Sequence, residues 1–277
     1  MKKIIKAIKY VKYLPEIVFQ IKNWPDFILH YIGLKEGGTE YTFRNGIQIK
    51  TKDAISTTTI AVIFIKKDYG DVSDNSVVID IGANIGVFSI FAATAKNAIA
   101  YAYEPAHDNF DLLRENVKLN KLENRIFPFN FGIAAKKEKR RLYLGESPFH
   151  SFLSVQESPF NALHDKLNQN PSQKYFEINC ISLKDVFEEN KIKRCDILKI
   201  DCEGAEYEIL YNLPDEYFKR IKKIRLEYHN HKTNKENNGS NLAEFLAKKG
   251  FKIEKFKKSS KYQGDLWLKQ ESQPIIK

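Results

Sequence analysis

The chain has 277 residues, 43% hydrophobic and 29% charged, which fits one α/β domain with an appendage and excludes a disordered chain. Forty-five basic against 35 acidic residues leave a net charge of +10, which favours anionic surroundings such as membrane headgroups, nucleic acid or acidic glycans without choosing among them. The cysteines, Cys180, Cys195 and Cys202, lack C-x-x-C spacing, which argues against a disulfide framework or zinc site and suits a reducing cytosol.

From the N-terminus, Ile4, Ile8 and Val11 repeat at helical spacing while Lys2, Lys6 and Lys9 fall on another face. Pro15 and Pro25 interrupt a pattern that Ile17, Ile21, Trp24, Ile28 and Tyr31 continue. Such a basic amphipathic segment suits either a membrane interface or docking on its own domain, and the packing potential of Trp24 and Phe27 favours docking. No run reaches the roughly 18 apolar residues of a spanning helix. Lysines also break any signal-peptide core, so the expected location is cytoplasmic, with peripheral contact at the inner membrane face. Tyr41 to Arg44, then Asn45-Gly46, then Ile47 to Lys50 reads as a hairpin. Thr57 to Ile65 is apolar and β-branched, compatible with helix or strand. Residues 1–67 are thus an appendage of helices and a hairpin, and 68–277 the main domain.

From Ser76 onward strands and helices alternate, as in a parallel sheet covered on both faces. Strands are expected at Ser76 to Ile79, Ala98 to Tyr103, Arg125 to Phe129, Ile197 to Ile200, Ile224 to Tyr228, Phe251 to Phe256 and Asp265 to Lys269, the last two as an antiparallel edge hairpin. Helices fit Asp108 to Asn120, Ser182 to Asn190 and Ser240 to Lys249. Residues 146–173 show little periodicity and three prolines, and read as a substrate-side lid. The lysine cluster from Lys248 to Lys261 reads as a solvated face.

The most informative stretch is Asp80-Ile81-Gly82-Ala83-Asn84-Ile85-Gly86, between the apolar Val77-Val78-Ile79 and a helix-like run from Val87. A strand turning through glycines into a helix forms the crevice of a nucleotide-binding α/β sheet, where Gly82 and Gly86 permit tight turning and close approach. The dinucleotide fingerprint G-x-G-x-x-G is absent, since its positions are Gly82, Asn84 and Val87. Asp80 would repel a pyrophosphate, so the loop suits a cationic or zwitterionic nucleoside such as S-adenosylmethionine. Glu104, at the end of the next strand and about 20 residues on, is placed to accept ribose hydroxyls. Asn130 ends the third strand, where an adenine edge would sit. The candidate cofactor residues are therefore Asp80, Gly82, Ala83, Asn84, Gly86, Glu104 and Asn130.

A second constellation, Leu198-Lys199-Ile200-Asp201-Cys202-Glu203-Gly204-Ala205-Glu206, delivers three carboxylates where an apolar strand turns into a helix. Glu203 and Glu206 would share the first helical turn, and the helix dipole alone accounts for Glu206. Clustered carboxylates repel, so one pKa should rise or a cation should lie close by. His229, in Glu227-Tyr228-His229-Asn230-His231, falls on the same sheet edge; His150 and His164 are weaker candidates. A divalent metal is not demanded.

Together these motifs, with Tyr103-Glu104-Pro105, Asn179-Cys180-Ile181-Ser182-Leu183 and Leu226-Glu227-Tyr228-His229, resemble those of FkbM-type methyltransferases, a branch of the class I S-adenosylmethionine-dependent enzymes, over roughly Asp68 to Phe256. The resemblance implies a Rossmann-like three-layer fold on a seven-stranded, mostly parallel sheet. It also implies a cofactor held by the glycine turn and Glu104, and methyl transfer to a hydroxyl of a sugar, glycan or related natural product. Cys202 stands where the family often has a small aliphatic residue. Asp201 or His229 is the expected base, and Glu203 the residue that orients the acceptor. An RNA methyltransferase or a non-catalytic, membrane-associated cofactor-binding protein are the alternatives. The acidic edge after Ile200 argues against nucleic acid, and the chain does not specify an oligomeric state.

Overall fold

The computed structural model describes residues 11–144, 151–154, 175–231 and 234–271. Its first helices, α1 (Leu14–Gln20) and α2 (Trp24–Tyr31), each carry proline in the first turn, where no intrahelical N–H bond is lost. Pro15 and Pro25 therefore start helices instead of breaking one. Next comes the hairpin of β1 (Glu40–Thr42) and β2 (Gln48–Lys50). Gly46 alone in its loop takes a positive φ, 93°, and Phe43 N–H bonds Ile47 O. The Asn-Gly pair thus closes through a glycine bulge, not through a two-residue turn that would need both residues left-handed. Asp53 caps α3 (Ala54–Ile60) by accepting from Ser56 N–H at 2.8 Å, and a π-helical turn, Ala61–Ile65, continues it. The ambiguous β-branched stretch is helical.

The main sheet has seven strands: β3 (Val77–Ile81), β4 (Ile99–Tyr103), β5 (Ile126–Phe129), β10 (Ile197–Ile200), β11 (Lys223–His229), β12 (Phe251–Lys258) and β13 (Gln263–Gln270). Their order is β12-β13-β11-β10-β3-β4-β5, parallel from β11 to β5, with β13 antiparallel to both its neighbours. Period-2 alternation divides the core. Val78, Ala98, Ala100, Ala102 and Ile197 face one layer, formed by α4 (Val87–Lys96), α5 (His107–Leu119) and the N-terminal elements. Ile79, Ile81, Tyr103, Leu198 and Ile200 face the other, formed by α6 (Leu183–Glu189), α7 (Glu206–Tyr211), α8 (Asp215–Phe218) and α9 (Gly239–Lys248). Ile17, Ile21, Phe27 and Tyr41 sit in the same cluster as Ile85 and Phe88, so the described N-terminal segment docks on the domain.

A second sheet was not expected from the sequence. It comprises β6 (Gly132–Ala134), β7 (Glu138–Leu144), β8 (Ser151–Ser154) and β9 (Tyr175–Ser182), ordered β6-β9-β7-β8. Its small core is Ala106, Ala134, Leu142, Ile178 and Cys180. Glu138-Lys139-Arg140-Arg141 has too few apolar residues to reveal β7 by alternation. Apart from β8, the stretch read as a lid lies outside the described residues, as do His150, His164 and Lys2 to Lys9. The thiols of Cys180, Cys195 and Cys202 are free.

Candidate active site

The chain runs from β3 to β4 and β5 on one side, then returns to β10 and β11 on the other. A crevice opens where the order reverses, outside the carboxyl ends of β3 and β10. There a cavity of about 340 Å³ is lined by Gly82, Ala83, Asn84 and Glu104 on one side and Asp201, Glu203 and Glu227 on another. Ser56, Thr59 and Val62 of the helical N-terminal segment, with Tyr69, complete its wall.

The glycine turn is fixed by backbone fit. Gly82 has φ 71°, and a Cβ there would lie 1.8 Å from Asp201 O. Its N–H and that of Ala83 both donate to Tyr103 O. Asn84 also takes a left-handed φ, 51°, and its N–H donates to Glu104 Oε2 at 2.9 Å. Glu104 Oε1 accepts from Ala106 N–H at 3.0 Å and from Asn109 Nδ2. Burial raises the Glu104 pKa, and these N–H donors oppose the rise.

Three of the expected cofactor residues do not line this cavity. Asp80 is fully buried: it pairs with Lys199 Nζ at 3.1 Å and accepts from Ser89 Oγ at 2.7 Å. The register sets this pairing, since Asp80 lies opposite Lys199 on the parallel strand. Its charge is met within the protein by Lys199 and Ser89. Gly86, φ 85°, caps α4 with its α-carbon toward Leu113, so it shapes helix packing. Asn130 donates to Glu104 O at 2.8 Å and Pro105 O at 3.1 Å, bracing the turn, while its neighbours Phe131, Gly132 and Ile133 supply the wall.

The remaining residues fit S-adenosylmethionine. Asn84 Oδ1 is a buried acceptor with no donor among the described residues, on the cavity wall. Glu104 holds a carboxylate beside it, and Tyr103, Pro105, Phe131 and Ile133 offer apolar surface to a purine. Gly82, Ala83, Asn84 and Glu104 would hold the nucleoside and amino-acid ends.

On the opposite side the expected carboxylates separate by role. Glu206 is fully buried and closes the turn, accepting from Gly204 N–H at 2.9 Å and His229 N–H at 2.6 Å. Helix α7 begins only at Glu206, so Glu203, with φ 52°, belongs to the preceding turn and not to the helix. His229 lies between two carboxylates, Nε2 3.5 Å from Glu203 and Nδ1 3.4 Å from Glu206. Burial alone would lower its pKa, but Glu206, Glu203 and Glu227 raise it to about 10. The flanking carboxylates therefore favour the imidazolium, a form with no ring lone pair to take a proton. Asp201 lines the cavity; its Oδ2 accepts from Tyr69 OH at 2.8 Å and lies 3.9 Å from Lys199 Nζ.

Lys199, Tyr69 and Glu227 belong to the site although the sequence did not single them out for it. Lys199 is buried, yet Asp80 and Asp201 outweigh that burial and raise its pKa. Its place within the motif and opposite Asp80 was the available signal. Tyr69 precedes β3 in a stretch without periodicity. Burial, then the charges of Asp201 and Glu227, push its phenol well above the usual range. Glu227, two residues before the end of β11, lies beside Asp201, and burial followed by the Asp201 charge raises its pKa to about 8.

Residues 80–253 match the family model described as the Methyltransferase FkbM domain, which is more than half of the chain. The chain is 28% identical over 169 residues to the 31-O-demethyl-FK506 methyltransferase FkbM of Streptomyces tacrolimicus, covering 55% of this chain and 65% of that protein. It is 25% identical over 140 residues to the hexuronic acid methyltransferase AglP of Haloferax volcanii, covering 50% of this chain and 51% of that protein. M. capricolum TrmK, solved with S-adenosyl-homocysteine, aligns with a TM-score of 0.40 at 13% identity over 74% of this chain and 66% of that one. The matched stretches span between half and two thirds of these relatives' own lengths.

Proposed function

The chain belongs to the FkbM family of S-adenosylmethionine-dependent methyltransferases, and we propose that it methylates a hydroxyl oxygen on a sugar, glycan or related natural product. One observation carries this reading. The cavity joins a nucleoside-sized recess at Gly82–Glu104 to a wall of hydrogen-bonding side chains, Ser56, Thr59, Tyr69, Asp201 and Glu227, suited to a polyhydroxylated acceptor. The relatives named for FK506 and for hexuronic acid support the same class of acceptor.

When bound, S-adenosylmethionine supplies a methyl activated by its sulfonium; the C–S bond breaks as the acceptor forms its O–C bond, and sulfur keeps the electron pair. The protein's own contribution is positional and electrostatic. Alignment of acceptor and donor can contribute about 7–11 kcal/mol. Glu203, fixed by His229, and Asp201, fixed by Tyr69, present oxygens at set positions for the acceptor's hydroxyls. The same carboxylates disfavour a phosphate backbone, which weighs against RNA despite the +10 charge.

The test is transfer of label from S-adenosyl-[methyl-14C]methionine to a panel of methyl glycosides, amino sugars and polyols by the full chain. Alkali-stable label, as in a methyl ether, is expected. Label confined to RNA, or released by mild alkali as from an ester, would overturn the reading.

A further inference from the structure

We propose that Glu227 is the proton acceptor of the reaction and that arrival of the cationic donor switches it into its ionised, working form. The inference rests on the methyl-transfer reading above.

Glu227 lines the cavity near the carboxyl end of β11, immediately after the pair Ile200–Leu226 that places it beside Asp201, just past the end of the neighbouring strand. Among the described residues its hydrogen-bond donor is Gln263 Nε2, which reaches Oε1 at 2.9 Å. The other oxygen, Oε2, has no donor among the described residues. Of the two other candidates, His229 has both ring nitrogens facing carboxylates, Glu203 and Glu206, and Asp201 has its Oδ2 engaged by Tyr69 OH and beside Lys199 Nζ.

The charged and titratable surroundings come from several elements. Asp201 and Glu203 lie on the turn after β10, and Tyr69 precedes β3. Asp265 stands opposite on β13, itself paired with Lys255 at 3.1 Å, and His229 lies on the same strand. Burial, Asp201, Glu203 and Asp265 favour the protonated carboxyl, while His229 and the Gln263 amide favour the carboxylate, and the balance raises the pKa to about 8. A base is most effective when its pKa lies near the working pH. Without donor, these surroundings favour the neutral acid. A sulfonium placed in the same cavity favours the carboxylate and expels that proton. In the transfer step the acceptor hydroxyl gives its proton to this carboxylate while its oxygen takes the methyl. The positive charge lost at sulfur is thus balanced by the proton gained at Glu227, which then leaves to solvent.

The two ligands S-adenosylmethionine and S-adenosylhomocysteine separate this idea from ordinary binding, because they differ in the sulfonium methyl and its charge. Calorimetry of the full chain at pH 7.5, in buffers of different ionisation enthalpy, reads the protons released on binding. The expected result is release on the order of half a proton for S-adenosylmethionine, much less for S-adenosylhomocysteine, with the difference absent in Glu227→Gln. Gln263→Leu, which removes the donor to Glu227, should enlarge the difference at pH 8. With an acceptor found by the labelling panel, Glu227→Gln should lower kcat by about 10²–10⁴-fold and abolish the alkaline rise in the pH profile of kcat/KM for the donor. Equal proton release in wild type and Glu227→Gln, with both ligands bound, overturns the inference alone. Failure of either ligand to bind overturns the methyltransferase reading instead.

Discussion

Asp80, on β3, and Asp201, just after the neighbouring β10, lie 3.1 and 3.9 Å from one ammonium group, Lys199 Nζ. The repulsion expected of the acidic cluster is met in both ways open to it: cations sit within it, at Lys199 and His229, and one carboxyl, Glu227, is pushed toward neutrality. The Asp201 side chain is part-exposed to the cavity, so Asp201→Asn should leave S-adenosylhomocysteine affinity within a few-fold. It should lower turnover by at least tenfold, read as kcat against Kd. Equal turnover would remove Asp201 from the chemistry. His229 gives a second expectation. Its folded-state pKa lies above that of free imidazole, so the stability it contributes is complete below pH 6.5 and disappears as pH climbs to about 10. Chemical denaturation from pH 6 to 10 should show falling stability in the wild type and a flatter curve in His229→Gln. The slope of Glu227 has the same sign but lies lower, between pH 4.5 and about 8.

At the scale of elements, the hairpin is fastened to the domain by two asparagines one helical turn apart. Asn116 accepts from Lys50 N–H at 2.8 Å and donates to Lys50 O and Ile85 O at 3.0 Å; Asn120 pairs likewise with Gln48 N–H and O. The i, i+4 spacing on α5 matches the i, i+2 spacing on β2, so two amides extend the strand edge as a backbone would. Asn116→Ala would strand buried polar groups at about 1–3 kcal/mol each, and a shift of the denaturation midpoint without change of slope should show it. A midpoint within error of wild type would contradict this. Arg140 plays a similar part for the second sheet, its guanidinium joining β7 to Glu208 on α7. Elements like these mark where sequence reading stopped. The seven strands of the main sheet and helices α5, α6 and α9 were legible because each carries a strong period or a cap, such as the Ser182–Asp185 capping box. The small sheet was not, because β7 is mostly charged and its partner β9 is distant in sequence. Asp201 and Glu203 were legible as residues of the cavity from motif and strand end. Asp80, Gly86 and Asn130 do not line the cavity and instead brace the turn and helix behind it; spacing places a residue at an edge without telling which way it points. Tyr69 and Ser56 could not be read at all, since their role depends on packing between the N-terminal segment and the sheet.

For the whole molecule, the matched family domain forms only part of the cavity. Ser56, Thr59, Val62 and Tyr69 lie before residue 80, on the segment whose Ile60, Ile63 and Phe64 share the core of α4 and α5. Among the described residues no helix is long and apolar enough to cross a membrane. Although the chain carries +10 overall, its cavity is lined by Asp53, Glu104, Asp201, Glu203 and Glu227 against Lys52 and Lys199, and Lys199 is already paired. The charge of the cavity is therefore opposite to that of the chain as a whole. In the labelling assay, neutral or amino sugars should be methylated at least tenfold faster than the matching hexuronic acids, and the reverse order would show that another surface selects the acceptor. The central claim, that the glycine turn after β3 and Glu104 hold S-adenosylmethionine, is tested most directly by calorimetry with S-adenosylhomocysteine on the wild type and on Glu104→Gln. One ligand per chain is expected for the wild type, with affinity at least tenfold weaker in a Glu104→Gln variant that unfolds at the same midpoint. Absence of binding in the wild type, or unchanged affinity in the variant, would contradict it.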